Sequence, residues 1–232
     1  MATICRLVGA RGASGEDERG GLSVGLQARV EVVRGGEEVG RDVEFARLRL
    51  GGAFEVRAGA VHTVPFGLEI PWETPVTTFL GRPVRGMGVG VTTELAIARA
   101  VDSSDLDPVQ VHPLPAQQAV LDAFERLGFR FESAGLAQGR IHGTRQRLPF
   151  HQQIEFSAPP QYRGLSEVEL SFVADDREMD VVLATGRKPG PFGEGSDTYR
   201  SFTVGLRDFG GTDWAGCLNQ WLAEVGGRRN WL

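Results

Sequence analysis

A single helix pattern lies between two long stretches of alternating hydrophobicity, and this arrangement limits the folds that the chain can adopt. Pro115 favours a first helical turn and Gly128 offers a left-handed stop. The apolar residues that recur between them at helical spacing are Ala119, Val120, Phe124 and Leu127. On both sides of this segment apolar residues recur at every second position instead, which is typical of half-buried strands. Residues 115–127 are therefore predicted to form a helix that connects two β-rich halves.

Several runs before this helix follow the period of a strand. They cover, in order, residues 26–33, 43–50, 62–70 and 87–97. A turn is predicted at Gly35–Gly36, and a change of phase after Ala46 indicates a β-bulge or a strand that crosses between layers. Because no helical crossover separates these strands, the pattern predicts an antiparallel β-sandwich.

The second half continues the strand pattern and ends in another helix pattern. Its strand runs are residues 148–156, 168–172, 179–183 and 202–206. Residues 186–197 are rich in glycine, proline and charge, which predicts a long exposed loop. Asp213 is a candidate N-cap for a terminal helix, whose apolar stripe is Trp214, Cys217, Leu218, Trp221, Leu222 and Val225. We expect this stripe to pack on the second sandwich and Gly226–Gly227 to end the helix.

The predicted fold class is all-β: two tandem antiparallel β-sandwiches with one interdomain helix and a C-terminal helix. The chain has 232 residues, enough for two domains of about 100 residues that each bury a core. We place the first domain at residues 1–110 and the second, which includes the connector helix, at residues 111–232.

Composition narrows the functional classes. The 30 acidic and 25 basic residues give a net charge of −5 and are mixed along the chain, so no basic face for nucleic acid is expected. Every basic residue except Lys188 is an arginine; we interpret this skew as a coding bias, because phosphate recognition would need arginines that converge on one surface. The sequence has neither an apolar run of about 18 residues nor a signal-peptide core, which predicts a cytoplasmic protein that does not span a membrane.

The residue types that most often catalyse reactions or bind metals form no recognisable site in the sequence. The histidines are His62, His112, His142 and His151, and none has the helical spacing of metal ligands. His62 shares a predicted strand face with Val64 and Phe66, so it is interpreted as a partly buried structural residue. Cys5 is assigned to an N-terminal tail and Cys217 to the apolar face of the terminal helix, with no disulfide or zinc spacing.

Some other segments resemble reactive or binding motifs only in part. Gly12–Asp17 lacks the second glycine of a nucleophile elbow, and Gly86–Gly90 lacks the Lys-Ser/Thr ending of a phosphate loop. The acidic sets Asp102–Asp107 and Asp175–Asp180 could ligate calcium, but they lack the EF-hand glycine and its bidentate glutamate, which favours solvated turns. The sequence therefore predicts no catalytic residues, no cofactor-binding residues and no metal site.

Longer segments are more specific than any of these motifs. They read HTVPFGLEIPWETPVT (62–77), TTELAIARAVDSSDLDPVQVHP (92–113), AVLDAFERLGFRFESA (119–134), RLPFHQQIEF (147–156) and YRGLSEVELSFVADDREMDVVL (162–183). In these segments the chain resembles the bacterial sporulation-control protein M family, from about Gly25 to Leu183. The resemblance implies arrestin-like sandwiches in tandem, no catalytic site or cofactor, and a cytoplasmic regulator or scaffold in sporulation or a related developmental or stress programme.

The chain departs from the family pattern at two places. Family members usually begin with a short glycine-rich lead-in followed by a strand, whereas residues 6–21 are polar and glycine-rich without alternation. The first strand is therefore expected to be missing or altered, and an altered reading frame or start site would explain this. After Leu183 the sequence ATGRKPG replaces an acidic, arginine-flanked run of the family.

Three functions from different classes fit these observations. The leading hypothesis is a non-enzymatic adaptor on which unidentified cytoplasmic proteins dock by strand addition or loop contacts, and a homo-oligomer is also possible. The alternatives are a β-sandwich that binds a small molecule or lipid in an apolar cleft, and a hydrolase whose nucleophile has no recognisable motif. Because a fold does not dictate a function, the choice among them rests on the family resemblance.

Overall fold

The structure is a computed structural model that describes residues 3–8, 21–34, 37–50, 61–79, 81–84, 87–96, 106–162, 165–185 and 198–227. Its strands are β1 Thr3–Val8, β2 Gly21–Arg34, β3 Glu37–Arg49, β4 Val61–Phe66, β5 Thr78–Phe79, β6 Arg82–Pro83, β7 Val89–Ala96, β8 Leu106–Pro108, β9 Arg130–Gln138, β10 Phe150–Ser157, β11 Glu167–Ala174, β12 Glu178–Thr185 and β13 Thr198–Gly205. Its helices are α1 Pro115–Arg126, a short 3-10 helix Phe209–Gly211, and α2 Trp214–Gly227. The predicted all-β class with one internal and one C-terminal helix is thus confirmed.

The chain divides into two compact units. The first contains Met1–Arg29, Asp42–Pro71 and Gly88–Val109, and the second contains Val30–Arg41, Trp72–Met87 and Gln110–Leu232. Strands β2 and β3 are each divided between the two units. The domain ranges 1–110 and 111–232 stay a prediction.

In the first unit, β2 pairs antiparallel with β7 in the register that alternation requires. Leu22 lies opposite Leu95, Leu26 lies opposite Val91, and the opposite face pairs Ser23 with Glu94. The buried alternate residues of β2 are Leu22, Val24, Leu26 and Ala28. Apolar cross-strand pairs on one face and polar pairs on the other are what a half-buried sheet needs.

The N-terminus differs from the sequence-based expectation. Strand β1 pairs antiparallel with β4, and Cys5, which the sequence assigned to a tail, lies within this strand opposite Val64. The β-branched residues Thr3 and Ile4 favour this local structure although the sequence around them does not alternate. Residues 9–20, which carry most of the polar segment, lie outside the described part of the chain, as do the predicted turn at residues 35–36 and the predicted loop at 186–197.

The second unit contains an antiparallel sheet in which β9, β10, β11, β12 and β13 are neighbours in that order. Strands β11 and β12 form a hairpin with Leu170 opposite Leu183, as the spacing of their apolar residues predicts. Next to β9, Glu31 of β2 makes a parallel bridge with Ala137. Alternation did not predict β9, since Leu136 is its one fully buried residue.

Helix α1 begins and ends where the sequence predicts. Gln117 Oε1 accepts a hydrogen bond from the backbone N–H of Leu114 at 2.8 Å, just before Pro115. At the other end Gly128 has a φ of 85°, and its N–H donates to the carbonyl of Glu125 at 2.9 Å. This left-handed conformation costs glycine little, so the helix stops there.

The two helices complete an apolar core with the sheet of the second unit. Phe124 of α1 stacks on Phe156 with ring centroids 4.6 Å apart, and Asp213 Oδ1 caps α2 by accepting from Gly216 N–H at 3.0 Å. The buried residues of α2 are Trp214, Leu218, Trp221 and Leu222. One detail of the predicted helix is wrong: Cys217 is exposed, because it lies beside the buried stripe. Helix α2 is described as far as Gly227, within the glycine pair expected to end it, and the side chain of Val225 lies outside the described part of the chain.

Candidate interaction surface

The connection between β9 and β10 is a loop whose backbone is held by side chains, and we call residues Gly139–Pro149 the anchored loop. The first anchor is Gln146, whose side chain is buried. Its Oε1 accepts from the N–H of Ile141 at 2.8 Å. Its Nε2 donates to the carbonyls of Gly139, Leu148 and Phe150 at 2.8, 2.8 and 3.0 Å. One amide thus makes hydrogen bonds to backbone groups on both arms of the loop and holds the two arms together.

The second anchor comes from the PWETP segment. The carboxylate of Glu73 accepts from the N–H of Arg147 at 2.8 and 3.0 Å and from the N–H of Leu148 at 3.0 Å. Close by in sequence, Val76 donates its N–H to Gln152 Oε1 at 2.9 Å, and its carbonyl accepts from Gln152 Nε2 at 2.8 Å. Residues 73–76 are therefore joined to the loop and to β10 by hydrogen bonds between side chain and backbone.

The third anchor is an ion network around Arg145. Its Nη1 contacts Glu178 and lies 3.4 Å from Asp175 Oδ2, and its Nη2 lies 3.3 Å from Asp180 Oδ1. The backbone N–H of Arg145 donates to Asp180 Oδ2 at 3.3 Å, and the hydroxyl of Thr203 donates to Asp180 Oδ1 at 2.6 Å. The side chain of Asp180 is only 7% exposed, so it depends on these partners in place of water.

The electrostatics of this network favour its ionised form. The backbone N–H groups of Glu178 and Arg177 donate to Asp175 Oδ1, both at 2.8 Å. These two bonds, followed by the attraction of Arg145, lower the pKa of Asp175. The hydrogen bond to Glu178 is the main cause that raises the pKa of Arg145. The acidic set Asp175–Asp180 is thus a hairpin turn held by an arginine, and Asp180 is buried where a solvated turn was expected.

A second cluster, in the first unit, uses similar chemistry on an exposed strand face. Arg47 donates from Nε and Nη2 to the two oxygens of Glu44 at 2.7 and 2.8 Å. Its Nη1 donates to Glu94 and, at 2.9 Å, to the hydroxyl of Ser23. The hydrogen bond from Arg47 is the largest of the causes that lower the pKa of Glu94. The charged side chains of this cluster remain between 33% and 41% exposed.

Three of the four histidines have side chains in the described part of the chain. His112 is exposed and its Nδ1 lies 2.8 Å from Thr78 Oγ1. His142 is exposed in the anchored loop. His151 is half-buried, and this burial lowers its pKa because it disfavours the charged imidazole. His62 lies in β4, but its side chain is outside the described part.

The remaining sequence motifs have structural explanations or are not described. At Gly90 a Cβ atom would lie 2.6 Å from Leu106 Cγ, so this glycine permits close packing of β8 on β7. Residues 12–17 and 102–105 lie outside the described part, and Asp107 is exposed in β8.

Two kinds of feature are absent from the described residues. No group of three or more His, Cys, Asp or Glu side chains there could hold a metal ion. No helix in the same residues has both the length and the apolar content to cross a bilayer. The absence of catalytic, cofactor-binding and metal-binding residues stays a prediction.

Sequence reasoning missed the residues that build the anchored loop. Glu73 is 74 and 75 positions away from its two partners, and Arg145 is 35 positions away from Asp180. Hydrophobic periodicity carries no information on such pairs. The one local indication is a glutamine between two arginines in a short segment that Gly143 and Pro149 bound.

The protein is thus rich in antiparallel strands, contains two α-helices in its described residues, and divides into two units. The family model described as SpoOM protein matches residues 4–189, and the chain belongs to this family. The chain is 31% identical over 169 residues to the sporulation-control protein spo0M of Bacillus subtilis (strain 168). That alignment covers 72% of this chain and 62% of the relative, so the chain spans less than two thirds of the relative's length.

A solved structure supports the same fold. The crystal structure of Spo0M, a sporulation control protein from Bacillus subtilis, matches with a TM-score of 0.73 at 24% sequence identity. The match covers 96% of this chain and 98% of that chain. The family resemblance inferred from the sequence is confirmed, and the family match starts closer to the N-terminus than the predicted start at Gly25.

Proposed function

We propose that this protein is a non-enzymatic, cytoplasmic regulator or scaffold that acts through protein–protein interaction in sporulation or a related developmental or stress programme. The observation that carries the proposal is the family match over residues 4–189, together with a relative that is named a sporulation-control protein. We further propose that residues 1–110 and 111–232 are its two domains.

The second unit offers two features that suit docking of a protein partner. The anchored loop has its backbone held by Gln146, Glu73 and Arg145, so a partner that binds it orders little additional chain. Strand β13 stands at one end of the sheet order in the described residues, and its Tyr199 is 68% exposed. Both features support loop contacts or strand addition as the mode of binding.

Deletion of the gene in its native host tests the sporulation role. We expect fewer heat-resistant spores in the deletion strain and recovery when the wild-type gene is returned. A deletion strain with unchanged spore counts and unchanged development would contradict the proposal.

Photo-crosslinking tests the mode of action. A benzophenone amino acid at His142 or Tyr199 should yield crosslinks to other proteins in sporulating cells, whereas the same group at Arg126, the last residue of α1, should yield fewer. Equal crosslinking from all these positions would argue against docking at the loop or at β13.

A further inference from the structure

The anchored loop contains three arginines, and two of them are in contact with each other. Arg140 and Arg147 are both exposed, and Arg140 Nη2 donates to the carbonyl of Arg147 at 3.4 Å. Neither side chain contacts a carboxylate in the described residues, and the exposed His142 lies between them in sequence. Arg145, the third arginine of the loop, is already occupied by its three carboxylates.

The backbone beneath these arginines is fixed independently of their guanidinium groups. Glu73 binds the backbone N–H of Arg147 and not its side chain. Gln146 holds the backbone of both arms of the loop. The two guanidinium groups are therefore presented from a preorganised backbone, which reduces the entropy that a ligand must overcome.

From this arrangement we propose that the anchored loop docks a partner protein through an acidic segment, whose carboxylates pair with Arg140 and Arg147. Guanidinium groups bind carboxylates through two parallel hydrogen bonds, and this pairing selects for geometry as well as charge. The proposal rests on the proposed function, since it names the chemistry of the partner.

The surroundings favour an acidic peptide over a nucleic acid. Asp176 and Glu178 are exposed on the hairpin whose residues contact Arg145, and they would repel a continuous phosphate backbone. A short acidic segment needs only two positive groups and can avoid these carboxylates. Because the whole chain carries a net charge of −5, an anionic peptide that binds must find a local positive site.

Binding of a synthetic peptide to the full chain tests this proposal. A fluorescent peptide rich in glutamate, its glutamine counterpart and a single-stranded oligonucleotide would be titrated by anisotropy at low and high salt. We expect only the glutamate peptide to bind, with an affinity that falls as salt rises. The double substitution Arg140→Gln and Arg147→Gln should weaken binding about tenfold or more.

Two controls separate the loop from net charge and from folding. The double substitution Arg126→Gln and Arg130→Gln removes the same charge from exposed positions at the end of α1 and the start of β9 and should change the affinity by less than about twofold. Gln146→Leu keeps both arginines but removes the amide that anchors the loop, and it should also weaken binding. A thermal melt confirms that each variant is folded before its affinity is compared.

Several outcomes would overturn the proposal. These are no binding of the glutamate peptide, equal loss in both double variants, or loop-dependent binding of the oligonucleotide instead of the peptide. The spore assay fails separately: a deletion strain that sporulates normally contradicts the proposed function but leaves peptide binding at the loop intact. Conversely, a loop variant that restores normal spore counts would contradict the loop as the docking surface.

Discussion

The Arg47 cluster and the Arg145 network contain the same kinds of groups in different surroundings. Each has one guanidinium, at least two carboxylates and a hydroxyl. The charged side chains of the Arg47 cluster are at least 33% exposed, whereas Asp180 in the Arg145 network is 7% exposed. Water can replace a lost partner in the first cluster but has little access to Asp180, so burial and not the number of ion pairs should decide their contributions to stability.

The largest effect is expected from Asp180→Ala. This change removes the acceptor of the Arg145 backbone N–H and of the Thr203 hydroxyl. We expect the free energy of unfolding, measured by urea denaturation, to fall by about 2–3 kcal/mol. Glu178→Ala is the matched control, because Glu178 binds the same arginine but is 48% exposed, and it should cost about 0.5 kcal/mol or less. Equal costs would refute the role of burial.

A smaller effect of opposite sign is expected at Thr185, on the same strand as Asp180. Thr185 is fully buried, and its hydroxyl has no hydrogen-bond partner in the described residues. Thr185→Val keeps the shape and removes the unpaired group, so the free energy of unfolding should rise by about 1 kcal/mol.

The same substitution at Thr203 is the control for this prediction. The hydroxyl of Thr203 donates to Asp180 at 2.6 Å, so Thr203→Val should lower the free energy of unfolding by about 1 kcal/mol. If both valine variants change stability in the same direction, the hydrogen-bond partner is not what distinguishes the two positions.

Elements with a regular hydrophobic pattern could be predicted from the sequence, whereas contacts between distant polar groups could not. Local hydrophobic periodicity predicted strands β2, β10, β11, β12 and β13, and it predicted helix α1 together with Pro115 and Gly128. A buried face produces a regular spacing of apolar residues, which is visible in a short stretch of sequence. Strand β9 was not predicted, because its residues are mostly half-buried or exposed and show no clear alternation of apolar and polar residues.

The candidate site could not be predicted in this way. Glu73, Gln146 and Arg145 act on partners that chain topology brings near, and their residue types are common on any surface. The same holds for Asp180: the sequence shows a carboxylate in an acidic loop, but its register in β12, opposite Thr203, is what buries it. Only the fold distinguishes a structural carboxylate from a solvated one.

Acid titration should distinguish the two clusters by a modest amount. The folded-state pKa of Asp175 is lowered from its ordinary value of 3.8, and that of Glu94 from 4.5. A carboxylate with a lowered folded-state pKa stabilises the fold at every pH above its pKa in the unfolded chain. This contribution is lost as the pH falls through the folded-state pKa.

Urea denaturation between pH 7 and pH 2 measures this loss. The acid limb of stability should be flatter in Asp175→Asn and in Glu94→Gln than in the wild type, with a difference below about 1 kcal/mol for either carboxylate. The difference between variant and wild type should be larger for Asp175 than for Glu94. The main bonds to the Asp175 carboxylate come from backbone N–H groups, which are fixed by the turn, whereas Glu94 depends on the side chain of Arg47. Wild-type and variant curves that stay parallel at low pH would show that these carboxylates do not contribute.

The smallest effect is expected from Arg47→Gln. Its two carboxylate partners are at least 33% exposed, so the free energy of unfolding should change by about 0.5 kcal/mol or less. The remaining difference from the wild type should become smaller in about 1 M salt, because mobile ions weaken the interaction between exposed charges. A loss as large as that of Asp180→Ala would mean that exposed strand-face ion pairs stabilise this fold as strongly as a buried carboxylate does. Side-chain exposure would then not decide how much an ion cluster contributes to the stability of this fold.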